Sequence, residues 1–342
     1  MIDGNEGVDL KLGAAGSPEV LKCMVTMVQR DKSTEILYFS MENYTSVPGE
    51  FHILPFFNNS DRSSLMFAMF YSLGIIMNVL IVTLIYVDEK LHSPMYLFLC
   101  NLSLVDMCYT TTIILKLLHI LSSGNHKMSF WQCFTQMFFF FLAAVTEDLL
   151  LFTMAYDRYV AICKPLHYSI ILSKKVCFTF MAAMWFIASL NSCVITVRTL
   201  KMSFCRSTTI HHFYCDAKAL TKISCAGKEI FYLVIYFDIL FFGLCPFLCS
   251  LTSYAKILQG WKNKGFLHLL HSSHRLMLYY STGVSMYLLP TTRYSDILDQ
   301  IFTLLYATAT PTLNPLIYSL RNRDVKRAVM RLLQLKRQST ID

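Results

Sequence analysis

From Leu65 to Val87 the chain runs for 23 residues without a formal charge, long enough to cross the roughly 30 Å hydrocarbon core of a bilayer as a helix. Comparable apolar stretches recur near 94–115, 131–156, 176–197, 230–255, 276–290 and 297–319. A bilayer supplies no water to unpaired backbone amides, so runs of this length read as helices. The pattern predicts seven spans and an all-α membrane protein: an outer segment 1–63, a helix bundle 64–320 and an inner tail 321–342. The sixth span is ragged. An apolar helix starting at Leu276 has 14 residues before Pro290, too few to cross unaided. The rest must come from a half carrying His268, His271, His274 and Arg275, three to four residues apart along one face.

Composition sharpens this picture. Of 342 residues, 55% are hydrophobic, 15% are charged and 26 are Phe, far from the balance of an ordinary soluble domain. The competing reading, a soluble protein with one very large core, does not account for the repeated span-length runs. The segment after Tyr318 carries Arg321, Arg323, Lys326, Arg327, Arg331, Lys336 and Arg337, which places it in the cytoplasm. Seven spans then put the N-terminus outside. Asn43-Tyr-Thr45 and Asn58-Asn-Ser60 lie there and fit the glycan-acceptor pattern, whereas Asn101-Leu-Ser103 falls inside the second span. The segment 198–228 is also basic, but long loops translocate largely regardless of charge. The net charge of +8 belongs to membrane-flanking residues and gives no case for nucleic acid. The first 40 residues hold only short apolar pieces such as Cys23–Val28, so the first span serves as the insertion signal.

Most of the 12 cysteines lie within spans, where a small polarizable side chain packs. Cys133, Cys205, Cys215 and Cys225 fall at the outer aqueous edge, the last three spaced ten apart in a loop without obvious secondary structure. An oxidising compartment there makes two disulfides the leading reading, and four cysteines permit three pairings. A zinc site helped by His211 and His212 competes, but the spacing is unlike compact zinc knuckles.

One stretch sets an acid beside an arginine in apolar company: Met154-Ala-Tyr-Asp-Arg-Tyr-Val-Ala-Ile-Cys-Lys-Pro-Leu-His-Tyr168. Around it, in order, stand Gly74-Ile-Ile-Met-Asn78, Pro94-Met-Tyr-Leu-Phe-Leu-Cys-Asn-Leu-Ser-Leu-Val-Asp106, Ser253-Tyr254 and Pro311-Thr-Leu-Asn-Pro-Leu-Ile-Tyr-Ser-Leu-Arg-Asn322. On these motifs the chain, from about Met41 to Arg327, resembles the olfactory receptors, a branch of the rhodopsin-like G-protein-coupled receptors. The resemblance implies a seven-helix bundle with a short amphipathic C-terminal helix. It also selects the pairings Cys133–Cys215 and Cys205–Cys225. Cys133 and Arg158 are 25 residues apart, about 37 Å of helix, which agrees independently with one residue at each membrane face.

Further expectations follow from the resemblance. Asp157 would hold Arg158 as an ion pair at rest, with Tyr159 beside them. Activation would free Arg158 toward Tyr254 and Tyr318, next to Asn314 and Pro315, and open a cleft for a heterotrimeric stimulatory G protein. The bland alternative is an interfacial anchor, since an arginine near a helix end can snorkel. Asn78, Asp106, Glu147 and Asn314 would converge at mid-bundle on water or a sodium ion, or else form a water-filled network that only packs the bundle. Asp148, beside Glu147, departs from the family pattern. A ligand pocket would be lined by Phe140, Phe141, Ala144, Asp238, Ile239, Phe242, Tyr280, Gly283, Val284, Tyr287, Leu304 and Ala307. Such a largely aromatic cavity suits a small volatile odorant, with Asp238 favouring an amine or hydroxyl; for any one of these aromatics, ordinary helix packing is the competing reading. No cofactor, metal motif or nucleophile–base constellation points to an enzyme, and no inverted repeat or broken helix pair to a transporter.

The pattern breaks at Gly265-Phe-Leu-His-Leu-Leu270, where the family has Ala-Phe-Ser-Thr-Cys-Ser after the lysine. Reading AAG GCT TTC TCC ACC TGC TCN one base early, from the last G of the lysine codon, yields Gly-Phe-Leu-His-Leu-Leu. A shifted frame, restored near His271, would make this chain a poorly trafficked relic with a weak response; ordinary divergence is the other account. Met41-Glu-Asn-Tyr-Thr looks like the family's usual start, which would make 1–40 an upstream extension with little order.

Overall fold

The computed structural model describes residues 49–55, 61–204, 207–260, 300–301, 303–304, 311–312, 314 and 325–331. Among the described residues, five helices are long and apolar enough to cross a membrane. Span one is Asp61–Val87, span two Pro94–Ser123, span three Phe130–Cys163 and span four Lys174–Leu200. Span five runs as Lys228–Asp238, Ile239–Leu244 and Cys245–Gly260, its middle piece being a six-residue π-helix. Helical residues at 300–301, 303–304, 311–312 and 314 and the helix segment 325–331 follow.

Helices two to five extend beyond the apolar windows of the sequence, because their ends are capped by polar residues outside the hydrocarbon. Span two starts on Pro94 behind Ser93 and stops at Gly124, whose φ of 65° lets the backbone turn left-handed. Span three opens with a capping box, in which the Gln132 backbone N–H donates to Ser129 Oγ and the Ser129 N–H to Gln132 Oε1. Inside the spans, threonine hydroxyls donate to carbonyls one turn back, as Thr146 does to Leu142 and Thr153 to Leu149, so these two hydroxyls need no water. Asn101 clamps span four: Trp185 Nε1 donates to its Oδ1 at 3.1 Å, and its Nδ2 lies 3.1 Å from Met181 Sδ.

The outer loops add short strands to the all-α bundle, where the sequence shows no obvious secondary structure. β1 (Glu50–Ile53) lies between β2 (Lys127–Ser129), antiparallel, and β4 (Thr209–Ile210), parallel. β3 (Ser203–Phe204) pairs with β5 (Ser224–Ala226), and a helix Ala217–Ile223 sits between β4 and β5. The loop 198–228 is therefore folded. Alternation in β1 turns Phe51 and Ile53 fully inward, where Phe51 stacks on Phe130 and meets Phe204 edge-on. Glu50 pairs with Lys127 at 3.1 Å diagonally across the β1–β2 ladder. Asp216 caps the loop helix, accepting from Ala219 N at 2.7 Å and from the Tyr214 hydroxyl at 3.0 Å. Burial nevertheless lifts its carboxyl above the ordinary value.

The opposite end of span one meets the helix segment 325–331. Arg331 Nε donates to Asp88 Oδ2 at 3.0 Å, and its Nη2 reaches the same oxygen. Strand β1 and the helix segment 325–331 thus lie at opposite ends of span one.

Candidate functional site

Three layers of side chains run from the outer end to the inner end of the bundle. At the outer end Cys133, in the first turn of span three, is bonded to Cys215, with Cα atoms 5.2 Å apart and a sequence separation of 82. Gln136, one turn below, donates to the Thr112 carbonyl at 2.7 Å and accepts from Cys215 N at 2.9 Å. It ties spans two and three to the loop beside the disulfide, a role that nothing in the sequence announced. Cys225 is also disulfide-bonded, while Cys205 lies outside the described residues. With Cys215 and Cys225 both oxidised, neither is a thiolate for zinc. His212 instead packs between Phe213 and Tyr214.

Below the disulfide, Phe140 and Phe141 of span three are buried and Ala144 is half-buried. The Phe140 ring lies 5.2 Å from Tyr109 of span two and 5.0 Å from Tyr214 of the loop, so loop and bundle share one aromatic layer. Ile239, Phe242 and Leu304 are half-buried. Asp238 is half-buried as well. Asn191 of span four is the side chain acting on its carboxylate. Projection from Pro246 at 3.6 residues per turn misses this, because the π segment between them turns the chain less per residue. Tyr280, Gly283, Val284, Tyr287 and Ala307 lie outside the described residues.

At mid-bundle the polar residues meet. Asn314 Nδ2 lies 3.2 Å from both Asp106 carboxylate oxygens and 3.1 Å from Glu147 Oε1. Asp106 and Glu147 are each 1% exposed. Asn78 is displaced from this knot; its Nδ2 donates to the carbonyls of Gly74 (3.0 Å) and Pro311 (3.2 Å). Gly74 has a reason to be glycine, since a Cβ there would sit 3.0 Å from Thr312 Oγ1.

At the inner end the expected Asp157–Arg158 ion pair is replaced. Asp157, 2% exposed, accepts a 2.8 Å bond from the Tyr168 hydroxyl, while Arg158 is exposed and its Nη2 lies against Met95 Sδ of span two. Consecutive helix residues do not face each other, so the acid turns toward the following loop and the base toward span two. Burial and the adjacent Asp157 carboxylate push the Tyr168 hydroxyl well above its usual pKa. Tyr159 is half-buried and packs near Tyr156. Tyr254 lies on the helix Cys245–Gly260; Pro315, Tyr318, Asn43 and Asn58 lie outside the described residues. Tyr168 and Met95 sit inside the quoted motifs, but nothing in the sequence marked them as partners of the acid and the base.

The whole bundle, from Phe67 into the tail, finds counterparts. A family model described as olfactory receptor matches residues 67–336. The chain is 37% identical over 307 residues to "Olfactory receptor 1E1" of Pan troglodytes, covering 86% of this chain and 98% of that protein. It is 36% identical over 305 residues to the human "Olfactory receptor 2L3", again with 86% and 98% coverage. With the human "Olfactory receptor 1L6" the match is 35% over 338 residues, 96% of this chain and 95% of the relative. A disulfide-closed outer end, a polar knot at mid-depth and an exposed arginine at the inner end of span three thus belong to a multi-pass plasma-membrane protein, and the chain is a member of the olfactory receptor family.

Proposed function

We propose that this receptor binds a small, mostly apolar odorant in the outer half of the bundle and activates a heterotrimeric stimulatory G protein from its inner end. The observation that carries the reading is the state of the inner end. Asp157 is engaged by Tyr168, and Arg158 stands exposed against Met95 without a carboxylate partner in the described structure. An arginine held by a thioether is held weakly, because the sulfur is a poor acceptor. A conformational change in the bundle can redirect it at small cost, which is what a two-state switch requires. The polar knot of Asp106, Glu147 and Asn314 joins three spans between the odorant end and the G-protein end, and supports the same reading by giving the bundle a shared element that both ends can bias. The outer layer around Phe140, Phe141, Ile239 and Phe242 has the aromatic and aliphatic character that a volatile ligand needs.

The frame-disrupted relic rests on residues 265–270, outside the described residues, and the family comparisons lend it no support. The test of the leading reading is a cAMP assay in cells expressing the full chain, run with a broad odorant panel beside surface staining. An odorant-dependent cAMP rise that vanishes without the stimulatory G protein is expected. Full surface expression with no response to any member of the panel would count against the coupling.

A further inference from the structure

Span four carries Asn191 and span five carries Asp238, and the two face each other at bundle depth. Asn191 is close enough to act on the Asp238 carboxylate, yet Asn191 Nδ2 and Asp238 Oδ1, both sealed from solvent, have no partner within hydrogen-bond distance among the described residues. An amide donor and a carboxylate acceptor left unmet inside an apolar bundle are costly, and such residues at membrane depth are found where something else satisfies them. A second, independent feature marks the same place. The π segment Ile239–Leu244 starts at the residue after Asp238, and such segments concentrate at functional sites because they widen the helix and redirect its side chains.

We infer that Asn191 and Asp238 form a polar subsite for the hydroxyl group of an otherwise apolar ligand. The chemistry selects the group. A hydroxyl donates one hydrogen bond and accepts others through a single oxygen, so it meets Asp238 Oδ1 and Asn191 Nδ2 together. An ammonium only donates and leaves the Asn191 amide unmet. An ether or carbonyl oxygen only accepts and leaves Asp238 unmet. The rest of the ligand would lie along Ile239 and Phe242, half-buried residues one and four positions further along the same span. This assignment rests on the odorant-receptor reading for its physiological meaning, although the binding it claims does not require coupling.

The experiment uses the full-length receptor in detergent. Straight-chain, cyclic and aromatic alcohols are each paired with a methyl ether of equal heavy-atom count and with the corresponding amine. The readout is the concentration giving half-maximal thermal stabilisation, with cAMP and surface staining in cells run alongside. The best alcohol is expected to bind about tenfold to a hundredfold more tightly than its ether, the range for a hydrogen bond to a charged group. Asn191→Leu should shift the preference from the alcohol to the amine, since it removes the donor that an ammonium cannot answer. Asp238→Leu combined with Asn191→Leu replaces both polar partners by apolar ones, so the fold is retained, and the alcohol preference should vanish. Equal affinity for alcohols and ethers throughout the panel, or a preference that survives in the double variant, overturns the subsite. A preference seen in binding but without any cAMP response supports the subsite and counts against the proposed coupling instead.

Discussion

Asn314→Leu removes a donor that joins two buried carboxyl groups, and its consequence follows from the geometry. The Asn314 amide has two N–H groups and spreads them over Asp106 Oδ1, Asp106 Oδ2 and Glu147 Oε1 at 3.1–3.2 Å. A buried acceptor left without its donor costs about 1–3 kcal/mol, and two of them about 2–6 kcal/mol. With Asp106 and Glu147 each 1% exposed, water cannot replace the lost donor. At about 2–4 °C per kcal/mol for mid-sized chains, and less for longer ones, the melting midpoint of the solubilised receptor should fall by about 5–10 °C. The decisive test is a double-mutant cycle. Asp106→Leu alone also strips the amide of a partner and should lower the midpoint. Added to Asn314→Leu, it removes a carboxyl group that has already lost its donor, so the further loss should be small or reversed. The coupling expected is about 2–3 kcal/mol, at the upper end for residues in direct contact. Thermal unfolding followed by size-exclusion chromatography of the heated receptor reads all four corners of the cycle. Additive losses would show that the three side chains do not act as a unit, and the knot could not then link the two ends of the bundle.

Three further outcomes are expected. Cys133→Ser or Cys215→Ser should cost about 2–5 kcal/mol and deplete surface staining; non-reducing peptide maps showing Cys133 free in the unaltered chain would contradict the bond. Arg158→Ala should abolish the odorant-evoked cAMP rise while surface level is largely kept, because the arginine is exposed at the inner end; normal signalling by this variant would refute the switch. The Arg331 guanidinium holds the Asp88 carboxyl below its ordinary pKa of 3.8, so the tie between them is fully present above that value and is lost as the pH falls through the lowered one. Protection of the 325–331 amides in hydrogen exchange should therefore drop below about pH 4 by a contribution of less than about 1 kcal/mol; an Asp88→Asn chain that shows the same acid-dependent drop would refute the tie.

The sequence by itself determined the spans and the family. Span-length apolar runs are a local property, since twenty or so residues without charge have one low-energy state in lipid whatever lies beside them. The motifs around Asn78, Asp106, Arg158 and Asn314 carried the resemblance, and the Cys133–Cys215 bond that it implied is present. What each polar side chain touches was decided by tertiary structure, because partner choice depends on the rotation of a helix and on its neighbours. Asp157 and Arg158 are adjacent in sequence, yet point to Tyr168 and Met95. A π segment turns Asp238 toward Asn191, and no 3.6-residue periodicity announces that segment. The outer sheet was illegible for a related reason. Strands of two to four residues are too short to show a period, and Phe51 becomes a core residue only when β2 and β4, 74 or more residues further along the chain, supply the two edges that β1 pairs with.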